Sequence, residues 1–320
     1  MKSISRVDGP EWIASGAAAA STVGGAAPCV SVLVPSFNHG AYLESCLDSV
    51  LAEGHSPLEL VVLDDGSSDD SVAIATAWMQ RHGAALAGGC KIGRQQNRGI
   101  TTTLNRLVAA ASGEFVIVLA SDDALLPGGI ASRLALLADR PDLLAAFGDA
   151  EPMHLDGRPA GRSAFDVAGS DRTALRHRAT LGVELISHWV MPGSVMLLRR
   201  QTFSRIGPFD QRYGYEDRDY VLRLIAARAV GFVDRPVTRY RMPPEKKQER
   251  YVALARDRVR IEFSHVSRFK GLERIALLCV AWRRARPHSI WVRPLKKLLS
   301  RIRRFNRGRA RRLDTSPGPR

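Results

Sequence analysis

The chain lacks a long run of apolar residues. Its longest late apolar segment, residues 275–282, is followed directly by two arginines, whereas a membrane-spanning helix needs about 20 apolar residues in succession. The sequence therefore predicts no transmembrane helix. Residues 1–28 are rich in Ala, Gly and Ser, but Asp8 and Glu11 interrupt them, which favours a flexible leader over a signal peptide.

Cysteine is also scarce, and two common cofactor signatures are missing. The four cysteines, Cys29, Cys46, Cys90 and Cys279, show no paired spacing, and no group of Cys and His residues has the spacing of a zinc site. We expect buried, reduced thiols, as in a cytosolic protein. The turn after the first predicted strand, VPSFNHGAY, lacks G-x-G-x-x-G, which argues against a dinucleotide-dependent oxidoreductase.

The positive charge is concentrated in one part of the chain. The formal net charge is +15, but residues 256–312 contain 19 Lys or Arg and only three acidic residues, while 28 basic and 29 acidic residues lie elsewhere. A nearly neutral body therefore carries a strongly basic C-terminal arm, which we define as residues 256–312.

The basic arm contains an amphipathic pattern. On a helix, five apolar residues would share one face with 4-3-4-3 spacing: Trp291, Leu295, Leu298, Ile302 and Phe305. A cationic amphipathic helix with aromatic residues is typical of attachment to an anionic membrane surface. Nucleic acid is the alternative partner, although no nucleic-acid-binding motif accompanies the charge, and a solvated tail is a third interpretation. We expect a cytoplasmic protein that lies peripherally on the inner face of the cytoplasmic membrane.

Strand-like and helix-like segments alternate along the first half of the chain. Runs rich in Val, Ile and Leu predict strands at 30–35, 58–63, 115–120 and 143–147, and helical spacing predicts helices at 41–53, 101–111 and 216–227. Short connections between them predict an α/β fold with an open, mostly parallel sheet. Later in the chain we expect a loop over 149–170, short strands near Gly231 and Val237, and helices from residue 245 onward.

Three acidic pairs occur at positions that suggest a functional site. They are Asp64-Asp65, Asp122-Asp123 and Glu216-Asp217. The first two pairs follow predicted strands, and the carboxyl ends of strands are where α/β sheets bind ligands. Carboxylates gathered at one edge repel one another unless a cation or a polyhydroxyl ligand compensates their charge. The sequence therefore predicts a metal-dependent site.

Six segments, in this order, resemble those of family 2 glycosyltransferases. They are VSVLVPSFNHGAYLESCLDSVL, ELVVLDDGSSDDS, QNRGITTTLN, EFVIVLASDDALLPGGI, GSVMLLRR and IGPFDQRYGYEDRDYVLRL. The resemblance covers residues 30–242. It implies a GT-A fold, a nucleotide-diphospho-sugar donor, Mg²⁺ or Mn²⁺, and transfer with inversion to an acceptor hydroxyl. We expect a GT-A domain at 29–243, with a nucleotide half (29–123) and an acceptor half (124–243), followed by a basic helical extension at 244–320.

The resemblance also implies roles for individual residues in donor binding. Phe37 would stack on the nucleobase, Asp65 would accept a hydrogen bond from it, Asp122 would bind ribose or sugar hydroxyls, and Asp123 would hold the cation. The neighbouring donor-site residues are Pro35, Asn38 and Asn97. Ala120 stands where the common metal motif has its first Asp, so the motif is present as a Ser-Asp-Asp variant. UDP or dTDP is favoured over GDP as the donor's nucleotide.

On the acceptor side, the resemblance makes Asp217 the catalytic base and places Glu216, His188 and Trp189 near the acceptor, a glycan or lipid-linked molecule of the cell surface. Plainer interpretations stay open. Acidic residues in a first helical turn, such as Glu216 and Asp217, also interact favourably with the helix dipole, and Asp64-Asp65 could cap a helix. The 97–105 segment could be structural, and a His-Trp pair is often part of the packing. A catalytically inactive nucleotide-sugar or glycan binding protein on the same fold is the alternative function, because of Ala120.

Overall fold

The computed structural model describes residues 9–16, 27–188, 193–242 and 248–315. These residues form nine strands: β1 Glu11–Gly16, β2 Val30–Ser36, β3 Leu58–Asp64, β4 Cys90–Arg94, β5 Phe115–Val118, β6 Ala124–Leu125, β7 Ala145–Met153, β8 Met196–Arg199 and β9 Val230–Arg241. They also form twelve α-helices: α1 Gly40–Ala52, α2 Ser71–His82, α3 Ile100–Ala110, α4 Gly129–Asp139, α5 Ala164–Ala168, α6 Arg172–Arg176, α7 Arg178–Ser187, α8 Thr202–Arg205, α9 Glu216–Ala226, α10 Gln248–His265, α11 Gly271–Ala285 and α12 Val292–Thr315.

All nine strands belong to one sheet, in the order β1-β4-β3-β2-β5-β8-β7-β9-β6. Strands β4, β3, β2 and β5 form a parallel block. Strand β8 runs antiparallel to both of its neighbours, β5 and β7, whereas β7 and β9 are parallel. Helices cover both faces, and the predicted α/β class is confirmed. The parallel block brings the carboxyl ends of four strands to the same edge.

The apolar runs form central strands because helices cover them on both sides. Every residue of β3 is buried, as expected for a strand inside a parallel block. Alternate side chains enter two separate cores: Val61 and Leu63 join the core on the side of α3 and α9, whereas Leu60 and Val62 join the core on the side of α1 and α2. The period of two is therefore hidden in the sequence, since both faces are apolar.

Three regions differ from the sequence-based expectation. Residues 11–16, within the expected flexible leader, form β1, an edge strand antiparallel to β4. Residues 149–153, expected in a loop, continue β7, and the two short strands expected near Gly231 and Val237 are the single strand β9. The β7–β9 ladder shifts register on both sides of Asp149, opposite Pro236. Because proline cannot donate to the ladder, this bulge lets one strand continue past it.

The helices of the basic arm pack against the rest of the protein. Helix α10 contacts α9, and α11 and α12 both contact α7. In α12, the buried side chains are Leu299, Ile302, Asn306 and Ala310, and Asn306 donates to the Thr180 carbonyl at 2.9 Å. Within the described ranges, the structure has no helix that is both long and apolar enough to span a membrane.

The face predicted for this amphipathic helix is divided in the structure. Ile302 is buried against the body, whereas Trp291, Leu298 and Phe305 are 61%, 42% and 58% exposed. Their seven-residue spacing places these three on one stripe, because seven residues are close to two helical turns. The Ile302 side of the predicted face thus packs against the body, and the exposed stripe is narrower than expected.

Candidate functional site

Loops from neighbouring parallel strands are tied together at the carboxyl edge of the sheet. Asn38 follows β2 with a left-handed backbone conformation (φ 53°), which Asn tolerates better than most residues. Its side-chain oxygen accepts a hydrogen bond from the Ser68 N–H at 2.8 Å, and its own N–H donates to Ser67 Oγ at 2.9 Å. The loop after β2 and the loop after β3 therefore form one unit.

The first acidic pair organises these loops. Asp64 Oδ1 accepts from the N–H groups of Gly66 and Ser67. Asp65 accepts from the Gly99 N–H at 2.9 Å, and also from the Arg98 N–H and the Gln95 side chain. Both carboxylates are nearly fully buried. A carboxylate has about four lone-pair sites, so Asp65 keeps limited capacity for a nucleobase, and that contact stays a prediction.

The loop after β4 packs tightly against the same unit. Gly66 has φ +81°, and a Cβ at this position would lie 2.8 Å from the Asn97 backbone nitrogen. Only glycine fits there, because any other residue would be strained and would also clash. The close approach places the exposed Asn97 at the same edge as Phe37, whose residue surface is 45% exposed, and Pro35, which is half-buried.

The second acidic pair has two distinct environments. Asp123 is 3% exposed, and its two oxygens accept from Ser194 Oγ at 2.7 Å and from the Arg241 N–H at 3.0 Å. Asp122 is partly exposed, and its Oδ1 lies 3.8 Å from His39 Nδ1. Asp123 thus anchors β9 and residue 194 to this loop, while Asp122 has the more accessible carboxylate. This geometry favours Asp122 over Asp123 as a cation ligand.

The charge at this pair suits a bound cation. Burial, followed by repulsion from Asp122, raises the pKa of Asp123 to about 7, so two ionised carboxylates here are costly without a compensating charge. In the described part of the chain, no three His, Cys, Asp or Glu side chains converge to hold a metal ion. A hard divalent cation at Asp122 would therefore need oxygen ligands from a bound molecule, as Mg²⁺ does with phosphates.

The third acidic pair begins α9. Glu216 and Asp217 are half-buried in its first turn. The loop before α9 is held by helix α3, which starts directly after Gly99. Asn105 exchanges two 2.9 Å hydrogen bonds with the Phe209 backbone, and Thr101 Oγ1 donates to the Tyr213 carbonyl at 3.0 Å. Helix α3 thus links the loops of the sheet edge to α9. At Asn105, this geometry supports the structural interpretation of the 97–105 segment.

His188 is held inside the protein. Its Nδ1 lies 2.7 Å from Glu184 Oε1, and both side chains are buried. Although burial opposes it, contacts with His188, the Asp171 N–H and Arg307 lower the pKa of Glu184. Packing therefore explains His188 as well as an acceptor contact does. Trp189, its predicted partner at the acceptor, lies outside the described residues.

Three residues near the acidic pairs escaped the sequence-based assignment of roles. His39 Nδ1 lies 2.8 Å from Ser121 Oγ, Ser194 binds Asp123, and Arg241 donates from Nε to the Asp122 carbonyl at 2.8 Å. His39 and Ser194 lie within the quoted segments and could have been noticed as polar residues at strand ends. Arg241 carries no local signal, because it reaches the site from the end of β9.

Comparisons with known proteins agree with this architecture. The family model for glycosyl transferase family 2 matches residues 31–207. A "PGL/p-HBAD biosynthesis glycosyltransferase" of Mycobacterium bovis is 30% identical over 217 residues, which cover 67% of this chain and 74% of the relative. The family match includes the segments after β2, β3, β4 and β5.

Two solved structures show the same fold at low sequence identity. The TarS 1–349 structure from S. aureus, in complex with UDP-GlcNAc, has a TM-score of 0.60 and 18% identity, covering 81% of this chain and 73% of that one. The mannosyltransferase PcManGT from Pyrobaculum calidifontis, in complex with GDP-Man and Mn²⁺, has a TM-score of 0.59 and 20% identity, covering 86% and 81%. The predicted GT-A fold is confirmed, and this chain belongs to glycosyl transferase family 2.

Proposed function

We propose that the protein is an inverting glycosyltransferase that moves a sugar from a nucleotide-diphospho-sugar to an acceptor hydroxyl. The observation that carries this proposal is the linked set of loops after β2, β3, β4 and β5, which places exposed Phe37 and Asn97 on the same sheet edge as Asp122. The test is a calorimetric titration with UDP, dTDP and GDP in the presence of Mn²⁺, for which we expect binding of one of them.

The donor nucleotide would lie over the loops after β2 and β4. Phe37 offers an exposed aromatic face for a nucleobase, and such stacking is worth about 1–3 kcal/mol. The same edge of the sheet offers backbone and side-chain groups that would contact the base and ribose, from Pro35, Asn38, Asp65 and Asn97. We favour UDP or dTDP over GDP.

Asp122 is the residue that would hold a divalent cation, Mg²⁺ or Mn²⁺, and His39 lies beside it. When bound, such a cation supplies positive charge that stabilises the departing diphosphate. The buried Asp123 would stabilise this loop by accepting hydrogen bonds from Ser194 and Arg241. The role of Asp122 at ribose or sugar hydroxyls, implied by the family resemblance, is compatible with this position.

Asp217 would act as the general base. Its carboxylate would take the proton from the acceptor hydroxyl while the acceptor oxygen forms a bond to the anomeric carbon, and the bond from that carbon to the diphosphate oxygen breaks. Attack opposite the leaving group inverts the anomeric configuration. Glu216 in the same turn would orient the acceptor, and His188 and Trp189 are the further acceptor contacts that the family resemblance implies.

A second candidate function is nucleotide-sugar or glycan binding without catalysis. It is favoured by Ala120, which stands in place of the first Asp of the metal motif. A protein of this kind would bind the donor's nucleotide, but it would release no nucleoside diphosphate from a donor in the presence of acceptor.

The acceptor would be a glycan or lipid-linked molecule in the assembly of a cell-surface polysaccharide or glycolipid. Support comes from α12 and the residue before it: Trp291, with Leu298 and Phe305 of α12, forms an exposed stripe that is flanked by exposed Lys297 and Arg304. Aromatic residues beside Lys and Arg suit the headgroup region of an anionic membrane. We therefore propose that the enzyme acts at the inner face of the cytoplasmic membrane.

The stripe makes a direct prediction for membrane binding. The double variant Trp291→Ser/Phe305→Ser should bind vesicles of phosphatidylcholine and phosphatidylglycerol about tenfold more weakly or worse, since burying one such side chain is worth about 1.5–3 kcal/mol. The measurement is co-sedimentation with these vesicles and with vesicles of phosphatidylcholine alone.

Val167→Ser is the matched control, because Val167 is 68% exposed on α5 and should not affect vesicle binding. If the wild-type protein binds an RNA oligonucleotide but not the anionic vesicles, nucleic acid replaces the membrane as the partner of the basic arm.

A further inference from the structure

One face of α10 contacts the segment that carries the proposed base. Asp257, Glu262 and His265 lie along this helix and reach residues 214, 218 and 219, which flank Asp217. The Arg258 guanidinium lies over the Tyr215 ring, 5.4 Å from its centroid. All these contacts lie beyond residue 207, where the family match ends.

The central contact is a buried ion pair next to Asp217. Arg218 and Glu262 have fully buried side chains, and the Arg218 guanidinium lies 3.0 Å from Glu262 Oε1. Arg284 of α11 contacts the same carboxylate, and the Arg258 guanidinium lies 3.9 Å from it. Burial lowers the pKa of Arg218 to about 9. Glu262 is thus the carboxylate that compensates the charge of the fully buried Arg218 and contacts two partly buried arginines, which fixes Arg218 in place.

Two further contacts bracket the same helical turn. His265 Nε2 lies 2.8 Å from Asp219 Oδ1, and both residues are almost completely buried. Asp257 accepts a hydrogen bond from the Gly214 N–H at 2.9 Å. Residues on both sides of Asp217 are therefore held by α10.

The first turn of α9 is also held by α7. The first N–H groups of a helix have no partners within the helix, and Tyr215, at the N-cap position, makes no side-chain capping hydrogen bond. The contacts from α10 hold the residues on either side of this turn. Arg218 also donates to the Leu185 and Ile186 carbonyls at 3.4 and 3.3 Å, which connects the turn to the end of α7.

We propose that Asp257, Glu262 and His265 are positioning residues for glycosyl transfer, and that α10 is part of the catalytic unit. The inference rests on the proposed role of Asp217 as the base. Helix α10 would hold the first turn of α9 so that the Asp217 carboxylate meets the acceptor hydroxyl. The donor loops, which belong to other strands, would be unaffected.

The test compares Glu262→Gln with Asp257→Ala. For both, kcat should fall by about tenfold or more, because a small misplacement of a reacting group can cost up to about 10²-fold. The nucleotide Kd should stay within about twofold, since a change confined to the acceptor side leaves donor binding intact. Hydrogen exchange of residues 216–222 should become faster. If Glu262→Gln fails to fold, Asp257→Ala carries the test, because Asp257 is partly exposed.

Asp149→Asn is the control for damage to a buried ion pair. Asp149 is fully buried, contacts Arg172 and lies on β7, so its substitution should leave kcat within about twofold of the wild type. The proposal is overturned if Asp257→Ala and any folded Glu262→Gln protein keep wild-type kcat, or if nucleotide affinity falls together with kcat.

The hydrogen-exchange measurement separates this inference from the proposed function. If the wild-type protein releases no nucleoside diphosphate from any donor, the proposed function fails. Unchanged exchange in residues 216–222 of the variants would then overturn the inference about α10 as well. Faster exchange confined to those residues would uphold the role of α10 in holding α9.

Discussion

Asp217→Asn is expected to lower the rate of glycosyl transfer by about 10²- to 10⁴-fold, the usual contribution of a general base. Asparagine has nearly the same shape, but it cannot accept the acceptor's proton. The nucleotide Kd should stay within about twofold, because the donor loops belong to β2, β3 and β4. The measurements are the release of nucleoside diphosphate in the presence of acceptor and a calorimetric titration of the variant with the nucleotide.

Glu216→Gln is the matched control for this prediction, since Glu216 precedes Asp217 in the same turn and is similarly half-buried. It should raise the acceptor KM more than it lowers kcat. If the Asp217→Asn protein keeps the wild-type rate, Asp217 is not the catalytic base. Complete loss of activity in both variants, with intact nucleotide binding, would indicate that the turn acts as a whole.

The second large effect is expected at Asp122. Asp122→Asn should reduce the gain in nucleotide affinity that Mn²⁺ provides by about 10- to 100-fold or more, because the loss of a group that only supports a metal ligand already costs about that much. Asp123→Asn should reduce this gain less than Asp122→Asn does, because both Asp123 oxygens already accept hydrogen bonds from Ser194 and Arg241. Calorimetric titration of the two variants with nucleotide, in Mn²⁺ and in EDTA, makes the comparison. If Asp123→Asn instead causes the larger loss, the cation ligand is Asp123, the residue that the family resemblance suggested.

The same pair of variants tests the electrostatics of Asp123. Because its pKa is raised to about 7 in the folded protein, the native state binds more protons than the unfolded chain between about pH 4 and 7. This group's contribution to stability is therefore lost as the pH rises through that window. Urea unfolding in EDTA measures this change in the free energy of unfolding. Asp123→Asn should abolish the change between about pH 4 and 7. Asp122→Asn should lower the pKa of Asp123 and so make the change smaller.

The apolar runs of β2 and β3 could be located from sequence to within one residue at each end, because both faces of these strands are buried and each predicted run contains a single polar residue, Ser31 or Glu59. The acidic pairs that follow β3 and β5 also indicated the edge of the sheet at which the candidate site lies. Strands β7 and β9 were predicted poorly. They contain Asp149 and Pro236 at a bulge, and a local pattern cannot show that such residues are accommodated by a neighbouring strand.

The division of roles between Asp122 and Asp123 could not be predicted from their position in the chain. It depends on Arg241 and Ser194, which are more than 70 residues away in sequence. The same applies to α10. The sequence shows the charge of this helix, which predicts a basic extension. The roles of Glu262 and His265 depend on their contacts with Arg218 and Asp219, which the sequence does not show. Long-range ion pairs of this kind leave no periodic signal.

The central claim is that the loops at the carboxyl edge bind a sugar nucleotide. We would titrate the purified protein by calorimetry with UDP, dTDP and GDP, each in Mn²⁺ and again in EDTA. Binding of one nucleotide in Mn²⁺ that weakens in EDTA, and that is impaired in Asp122→Asn, is the predicted result and would also name the donor's base. If a demonstrably folded sample binds none of the three under either condition, the proposed donor site is contradicted.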